Sequence, residues 1–150
     1  MFTFRALNAW TPSALYMQKS TQVRLAHIGI AVRNLDELLP FYRDVLGLPV
    51  VPLEDSDGAR IAGLAAGDSL VELLESQEPD SPIGKFVAKR GQGIHHVCFA
   101  VDDLAVVLAR CRAAGVRLID EQPRPGADGK PIAFLHPAST GGVLVELTQL

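Results

Sequence analysis

Two histidines and two glutamates recur at matching places in this chain, and their chemistry is the most readable. His27 lies in LAHIGIAV and His96 in GIHHVCFAV, while Glu72 and Glu146 each stand in a Leu-Val-Glu-Leu tetrapeptide, at 70–73 and 144–147. Both pairs fall in apolar segments of strand length. Alternation along a strand puts Leu25, His27, Gly29 and Ala31 on one face, and Ile94, His96, Cys98 and Ala100 on its counterpart. The same spacing groups Leu70 with Glu72 and Leu74, and Leu144 with Glu146 and Thr148. A carboxylate among apolar neighbours is costly unless it is paired or coordinates a metal. Two imidazoles and two carboxylates form a mixed N/O donor set suited to Co²⁺, Mn²⁺, Fe²⁺, Ni²⁺ or Zn²⁺. Four such ligands leave two positions on an octahedral ion, where a substrate with two oxygens could chelate. A lone histidine on an apolar strand is ordinarily a hydrogen-bonded core residue; recurrence of the same pair in both halves favours a metal site.

The elements that must position these residues form an internal repeat. Placing LAHIGIAVRNLDELLPFYRDVLGL against GIHHVCFAVDDLAVVLARCRAAGVRL aligns His27 with His96, Ala31 with Ala100, Val32 with Val101 and Leu35 with Leu104. Each copy reads strand, helix, then three short strands. The opening strands are 26–32 and 94–101. The helices follow the polar stops Arg33-Asn34 and Asp102-Asp103 and end at Gly47 and Gly115. Asn34 with Glu37 is an expected N-cap pair, and Pro40 predicts a late start or a bend in the first helix. The short strands are expected at 48–53, 60–66 and 69–75, and at 116–120, 131–136 and 142–148, with Asp-Gly, Gly-Asp and Gly-Gly turns between them. Between the copies, Ser81 as N-cap and Pro82 at the first helical position predict a short crossing helix. The expected fold is α+β: two βαβββ modules in tandem around a pseudo-twofold axis, module one 23–76, linker helix 77–93 and module two 94–150.

The chain has 150 residues, 48% hydrophobic and 21% charged, with a formal net charge of −3. That composition buries a core, and its mild acidity argues against nucleic acid or an anionic membrane as the main partner. No apolar run approaches the roughly 18 residues needed to span a bilayer. Cys98 and Cys111 fit neither a CxxC motif nor a secreted disulfide framework, so a reduced, cytoplasmic chain is expected. Residues 1–22 contain no Asp or Glu and stand outside the repeat. They read as a disordered extension or a presequence; a working presequence would place the protein in the mitochondrial matrix.

Other polar residues have plainer readings. His95 alternates away from His96 and is expected behind it or on the surface. His136, before Pro137, is a loop histidine or touches substrate. Cys98 is expected as a small core residue. Lys85, Lys89, Arg90 and Lys130 read as a solvated face, or as contacts to an anionic ligand.

The segments LAHIGIAVRNLDELLPFYRDVLGL, LVELLES, DSPIGKF, GIHHVCFAVDDL and GKPIAFLHPASTGGVLVEL together resemble the vicinal-oxygen-chelate superfamily, and within it the methylmalonyl-CoA epimerase branch. The resemblance covers nearly everything from residue 25 onward. It implies paired modules forming a cup around a divalent ion, Co²⁺ foremost, with metal ligands His27, Glu72, His96 and Glu146. It implies interconversion of the (2R) and (2S) forms of methylmalonyl-CoA, on the route between propionyl-CoA and succinyl-CoA, and a homodimer. Some relatives carry a further glutamate where this chain has Ile61; Glu54, Asp55 and Asp57 are nearby but do not match the motif.

The chemistry fits the residues. Removing the α-proton of a malonyl thioester gives an enolate that a Lewis acid stabilises. Epimerisation then needs a base on one face and an acid on the other. With Ile61 apolar, Glu72 and Glu146 are the expected catalytic pair, each a base for one epimer and an acid for the other. Three alternatives use the same frame: a glyoxalase-I-like lyase acting on a hemithioacetal, an Fe(II) extradiol dioxygenase, and a non-catalytic ligand-sequestering module.

Overall fold

A computed structural model describes residues 22–150. The expected N-terminal extension, apart from Gln22, lies outside them. The described residues open with β1 (Val23–Val32) and α1 (Leu35–Pro40), then the short β2 (Val50–Val51), β3 (Ala59–Ala66) and β4 (Ser69–Ser76). After α2 (Pro82–Arg90) the order repeats as β5 (Gly93–Val101), α3 (Leu104–Ala113), β6 (Arg124–Pro125), β7 (Pro131–Leu135) and β8 (Val145–Gln149). One eight-stranded sheet results, in the order β2-β3-β4-β1-β5-β8-β7-β6. It reads the same from both ends, because β1 and β5 pair antiparallel at the centre while each runs parallel to the last strand of its own copy.

The helices form where local chemistry starts and stops them. Asn34 Oδ1 accepts from the backbone N–H groups of Asp36 and Glu37 at 3.0 and 3.3 Å, and Asn34 Nδ2 donates to Glu37 at 3.2 Å. Asp103 caps α3 and Ser81 caps α2, the latter through Gly84 N–H at 3.0 Å. Pro40 has no N–H to continue the α pattern, and the next turn widens into a π-helix over Phe41–Val45, closed by Leu46 N–H on Phe41 C=O at 2.9 Å. Gly47 and Gly115 then take φ of +75° and +73°, the left-handed conformation that ends each helix.

Alternation sorts the faces of the last strands. Leu73 and Leu147 turn to the outer side, where Val32, Leu35 and Leu64 pack with the former and Val101, Leu104, Leu108 and Ala133 with the latter. Glu72 and Glu146 turn to the inner side. The sheet curls so that its inner face lines a cavity of about 350 Å³. α2 closes one end of this cup by packing Ile83 on Ala31, Ala59 and Leu74.

Three expectations need correction. The strand expected at 48–53 shrinks to Val50–Val51, since Pro49 and Pro52 bracket it without donors. The strand expected at 116–120 is a single bridge, Leu118 to Leu135, and the edge position passes to Arg124–Pro125. Strict alternation also fails in β1 and β5. Leu25 pairs with Phe99 and His27 with Cys98, leaving Ala26 as an extra residue; Gly29 pairs with His96 and Ile30 with Ile94, leaving His95 as another. These β-bulges fall on equivalent residues of the two copies, each just before the repeated histidine. Beyond the first bulge the parity reverses, so Arg24 and Ala26 line the cup and Leu25 does not. Among the described residues no helix is long and apolar enough to cross a membrane.

Candidate metal centre

The four expected ligands meet at the centre of the cup. β1 and β5 bring His27 and His96 together, with their Nε2 atoms 2.9 Å apart. β8 brings Glu146, whose Oε2 lies 3.0 Å from His96 Nε2 and 3.3 Å from His27 Nε2. β4 brings Glu72 to the other edge of the His27 ring, with Oε1 3.4 Å from Nδ1. The side chains of all four are 12% exposed or less. Among the described residues no lysine or arginine forms an ion pair with either glutamate; the imidazoles face both, and the Cys98 thiol also lies against Glu146.

The electrostatics follow from this packing. Burial lowers the pKa of His27, but the hydrogen bond with Glu146 and the charges of Glu72 and Glu146 outweigh it and raise the value overall. Burial pushes Glu146 up, yet hydrogen bonds from both histidines bring it down to about 2. Glu72 is raised by burial and by the like charge of Glu146, which the cation on His27 only partly offsets. The two carboxylates therefore sit in environments that push them in opposite directions.

The donors fit a divalent cation. Ligand atoms held at about 2.1 Å around one ion, at right angles, lie about 3 Å from each other. That is the spacing of His27 Nε2, His96 Nε2 and Glu146 Oε2. Ligating atoms of His27, Glu72 and His96 all fall within 4.8 Å of one another, and a second such group contains His27, Cys98 and Glu146. The Cys98 thiol is fully buried, and its pKa is pushed up by burial and by the Glu146 charge. Its burial is that of a small core residue.

His95 is not turned away. As the bulge residue it lies beside His96, with the two Nδ1 atoms 3.0 Å apart, and its ring stands edge-on to Phe86. Burial and the neighbouring His96 push its pKa down to about 4, so it is neutral at pH 7. A neutral His95 can accept from His96 Nδ1–H. Such a contact would hold the His96 ring in place. His136 is a satisfied loop histidine, its Nδ1 accepting from Ala138 N–H at 3.0 Å.

Sequence reasoning missed two residues of the site. Gly29 lies under the His96 ring, and a Cβ there would stand 2.2 Å from Cε1 and 2.5 Å from Nδ1. The repeat held a signal, since Gly29 aligns with Cys98, the residue across from His27. Arg124 spans the cup rim. It bonds Asp57 at 3.0 Å and Asp120 at 3.1 Å, and lies over Phe134, whose ring is edge-on to His96. Nothing in its sequence context marks this role.

Ile61 lines the cup opposite Leu74, so no carboxylate stands at that point. Asp55 instead accepts from the Ile61 backbone N–H at 3.0 Å, and Asp57 is held by Arg124.

Residues 26–134 match the glyoxalase/bleomycin resistance protein/dioxygenase superfamily. The chain is 41% identical to the mitochondrial methylmalonyl-CoA epimerase of Bos taurus, over 84% of this chain and 74% of that one. It is 38% identical to the ethylmalonyl-CoA/methylmalonyl-CoA epimerase of Cereibacter sphaeroides, over 85% and 98%. Among solved structures, a variant of Streptomyces coelicolor methylmalonyl-CoA epimerase in complex with 2-nitronate-propionyl-CoA superposes with a TM-score of 0.81 at 40% identity, covering 84% of this chain and 93% of that one.

Proposed function

The chain belongs to the glyoxalase/bleomycin resistance protein/dioxygenase superfamily, and from that footing we infer that it is a methylmalonyl-CoA epimerase, interconverting the (2R) and (2S) forms of methylmalonyl-CoA. The observation that carries this reading is the convergence of His27, His96 and Glu146 within 3.3 Å, with Glu72 across the His27 ring, in a cup with apolar walls. We assign His27, Glu72, His96 and Glu146 as metal ligands and Co²⁺ as the ion. When bound there, a divalent cation would supply Lewis acidity toward the carboxylate and thioester oxygens and so acidify the C2 proton.

The chain's own residues supply the proton transfer. Glu146 is buried at the centre of the cup, where its carboxylate oxygen can accept the C2 proton of one epimer. Glu72, which reaches the His27 ring from its other edge, is placed to exchange a proton at the opposite face of the planar C2. Their approach to His27 from different edges, at Nε2 and Nδ1, supports opposite-face delivery. For the other epimer the roles exchange. Ile61, Leu70, Leu74, Ile132 and Phe134 line the cup and limit access of water to C2.

The same reading makes the enzyme a homodimer, supported by the exposed apolar side chains Phe41, Val45, Leu46 and Val50 around the π-turn and β2. It places the enzyme in the cytoplasm, or in the mitochondrial matrix if residues 1–22 act as a presequence. Assay of metal-replete protein on methylmalonyl-CoA and on a hemithioacetal tests the function. Epimerisation of the former without turnover of the latter is expected; the reverse would make the protein a glyoxalase-type lyase.

A further inference from the structure

The ion pairs of Arg43, Arg60 and Arg112 stay within one copy of the repeat: Arg43 with Asp44, Arg60 with Asp36 and Arg112 with Glu121. Arg124 reaches both copies. Its Nε donates to Asp120 Oδ1 at 3.1 Å in the second copy, and its Nη1 donates to Asp57 Oδ2 at 3.0 Å in the first. Asp57 sits in the turn just ahead of β3, at φ +54°, the one non-glycine residue at positive φ among the described residues. A second link joins the same two loops, where Glu54 N–H donates to the Ala127 carbonyl at 3.1 Å.

Two nitrogens of the guanidinium are thus fixed, and with them its plane. Its central carbon lies 5.4 Å from the centre of the Phe134 ring. Asp120 holds Phe134 as well, its Oδ2 accepting from the Phe134 backbone N–H at 2.8 Å. Phe134 in turn stands edge-on to His96, with centroids 5.7 Å apart and planes at 82°. The other rings against His96 are His27 and His95, at 5.1 and 5.2 Å. Of these three neighbours, Phe134 alone is not an imidazole. The side chains of Arg124 and Asp57 are 36% and 45% exposed, and a pair so exposed contributes little to stability. Its effect is to orient.

Resting on the reading of His96 as a metal ligand of an epimerase, we propose that Arg124 is a positioning residue. Held by Asp57 and Asp120, it keeps Phe134 against the His96 ring and so keeps that ring in the donor cluster. It acts through Phe134, without contact to the reacting atoms.

The test compares Arg124→Gln, Phe134→Leu and the double variant with the parent protein. In the metal-free proteins, the Cε1–H signals of the four histidines are followed by NMR, with His96 assigned by substitution. The ring current of Phe134 makes the His96 signal a direct report of their contact. In the metal-replete proteins, kcat and KM for methylmalonyl-CoA are measured. Arg124→Gln is expected to shift or broaden the His96 signal and leave that of His136 in place. It should lower kcat about tenfold, keep KM within about twofold and barely change Tm. The double variant should be no worse in kcat than Phe134→Leu alone, because one effect passes through the other. Arg124→Lys keeps the charge but not the fixed plane, so it should fall between Arg124→Gln and the parent. An unmoved His96 signal in Arg124→Gln, or additive losses in the double variant, would overturn the proposal. So would a rise in KM with kcat unchanged, which would make Arg124 a direct contact to substrate. If Arg124→Gln did not fold, Arg124→Lys would carry the same comparison with Phe134→Leu. If the parent epimerised nothing, the functional reading would fail, and the metal-free spectra would still decide what Arg124 holds.

Discussion

Gly29→Ala is expected to empty the metal site while leaving the chain folded. The added Cβ would stand 2.2 to 2.8 Å from three atoms of the His96 ring, closer than any real contact. Gly29 has an ordinary backbone conformation, so the effect is steric rather than conformational. The His96 ring cannot yield in place, because it is buried between His95, His27 and Phe134. It must swing out of the donor cluster or push β5 from β1. Overpacking of this kind typically costs about 1–3 kcal/mol. A ligand displaced by an ångström can cost about 100-fold in rate. Metal content should fall well below one ion per chain and epimerisation should drop by about two orders of magnitude, while circular dichroism keeps its native shape. Cys98→Ala, at the equivalent position of the second copy, removes atoms instead of adding them and should retain the metal. Full metal content in Gly29→Ala would show that His96 is not a ligand.

Glu72→Gln separates ligand from base. The amide keeps an oxygen for the ion and is close in volume, but it cannot take up a proton. If Glu72 is one of the two proton-transfer groups, metal content stays near that of the parent while epimerisation falls by about 10²–10⁴-fold. Exchange of the C2 proton with D₂O should then survive from one epimer only, the one that presents its proton to Glu146. The contrary outcome, epimerisation at near the parent rate, would reduce Glu72 to a ligand. The second proton would then have to come from elsewhere, and neither Ile61 nor the tied Asp55 and Asp57 offers an obvious source.

How much of this was legible in the sequence depends on what the residues encode locally. The repeat exposed the four donors because chemistry and position coincided: His27 with His96, and Glu72 with Glu146, each in an apolar strand. Asn34, Ser81 and the closing Gly47 and Gly115 were readable because capping and left-handed turns are set within a few residues. The bulges were not readable. Nothing in Ala26 or His95 marks an extra residue, since a bulge arises from the register between two strands far apart in sequence. Strict alternation therefore put His95 on the wrong face of its strand, although its place behind His96 agrees with the sequence reading. Arg124 was invisible for the same reason, because its partner Asp57 is brought close only when the two copies curl toward each other. Pro40 announced a disturbance, but the widening to a π-turn depended on what packed around it.

We propose that this chain moves the C2 proton of methylmalonyl-CoA at the His27–Glu72–His96–Glu146 site. The most direct measurement is deuterium incorporation at C2 when one pure epimer is incubated with the metal-replete protein in D₂O and followed by NMR. Deuterium should appear at C2 in both epimers, the exchange should be lost when the ion is removed with a chelator, and it should return on adding Co²⁺. Retention of the original proton in both epimers, with the ion bound, would contradict it.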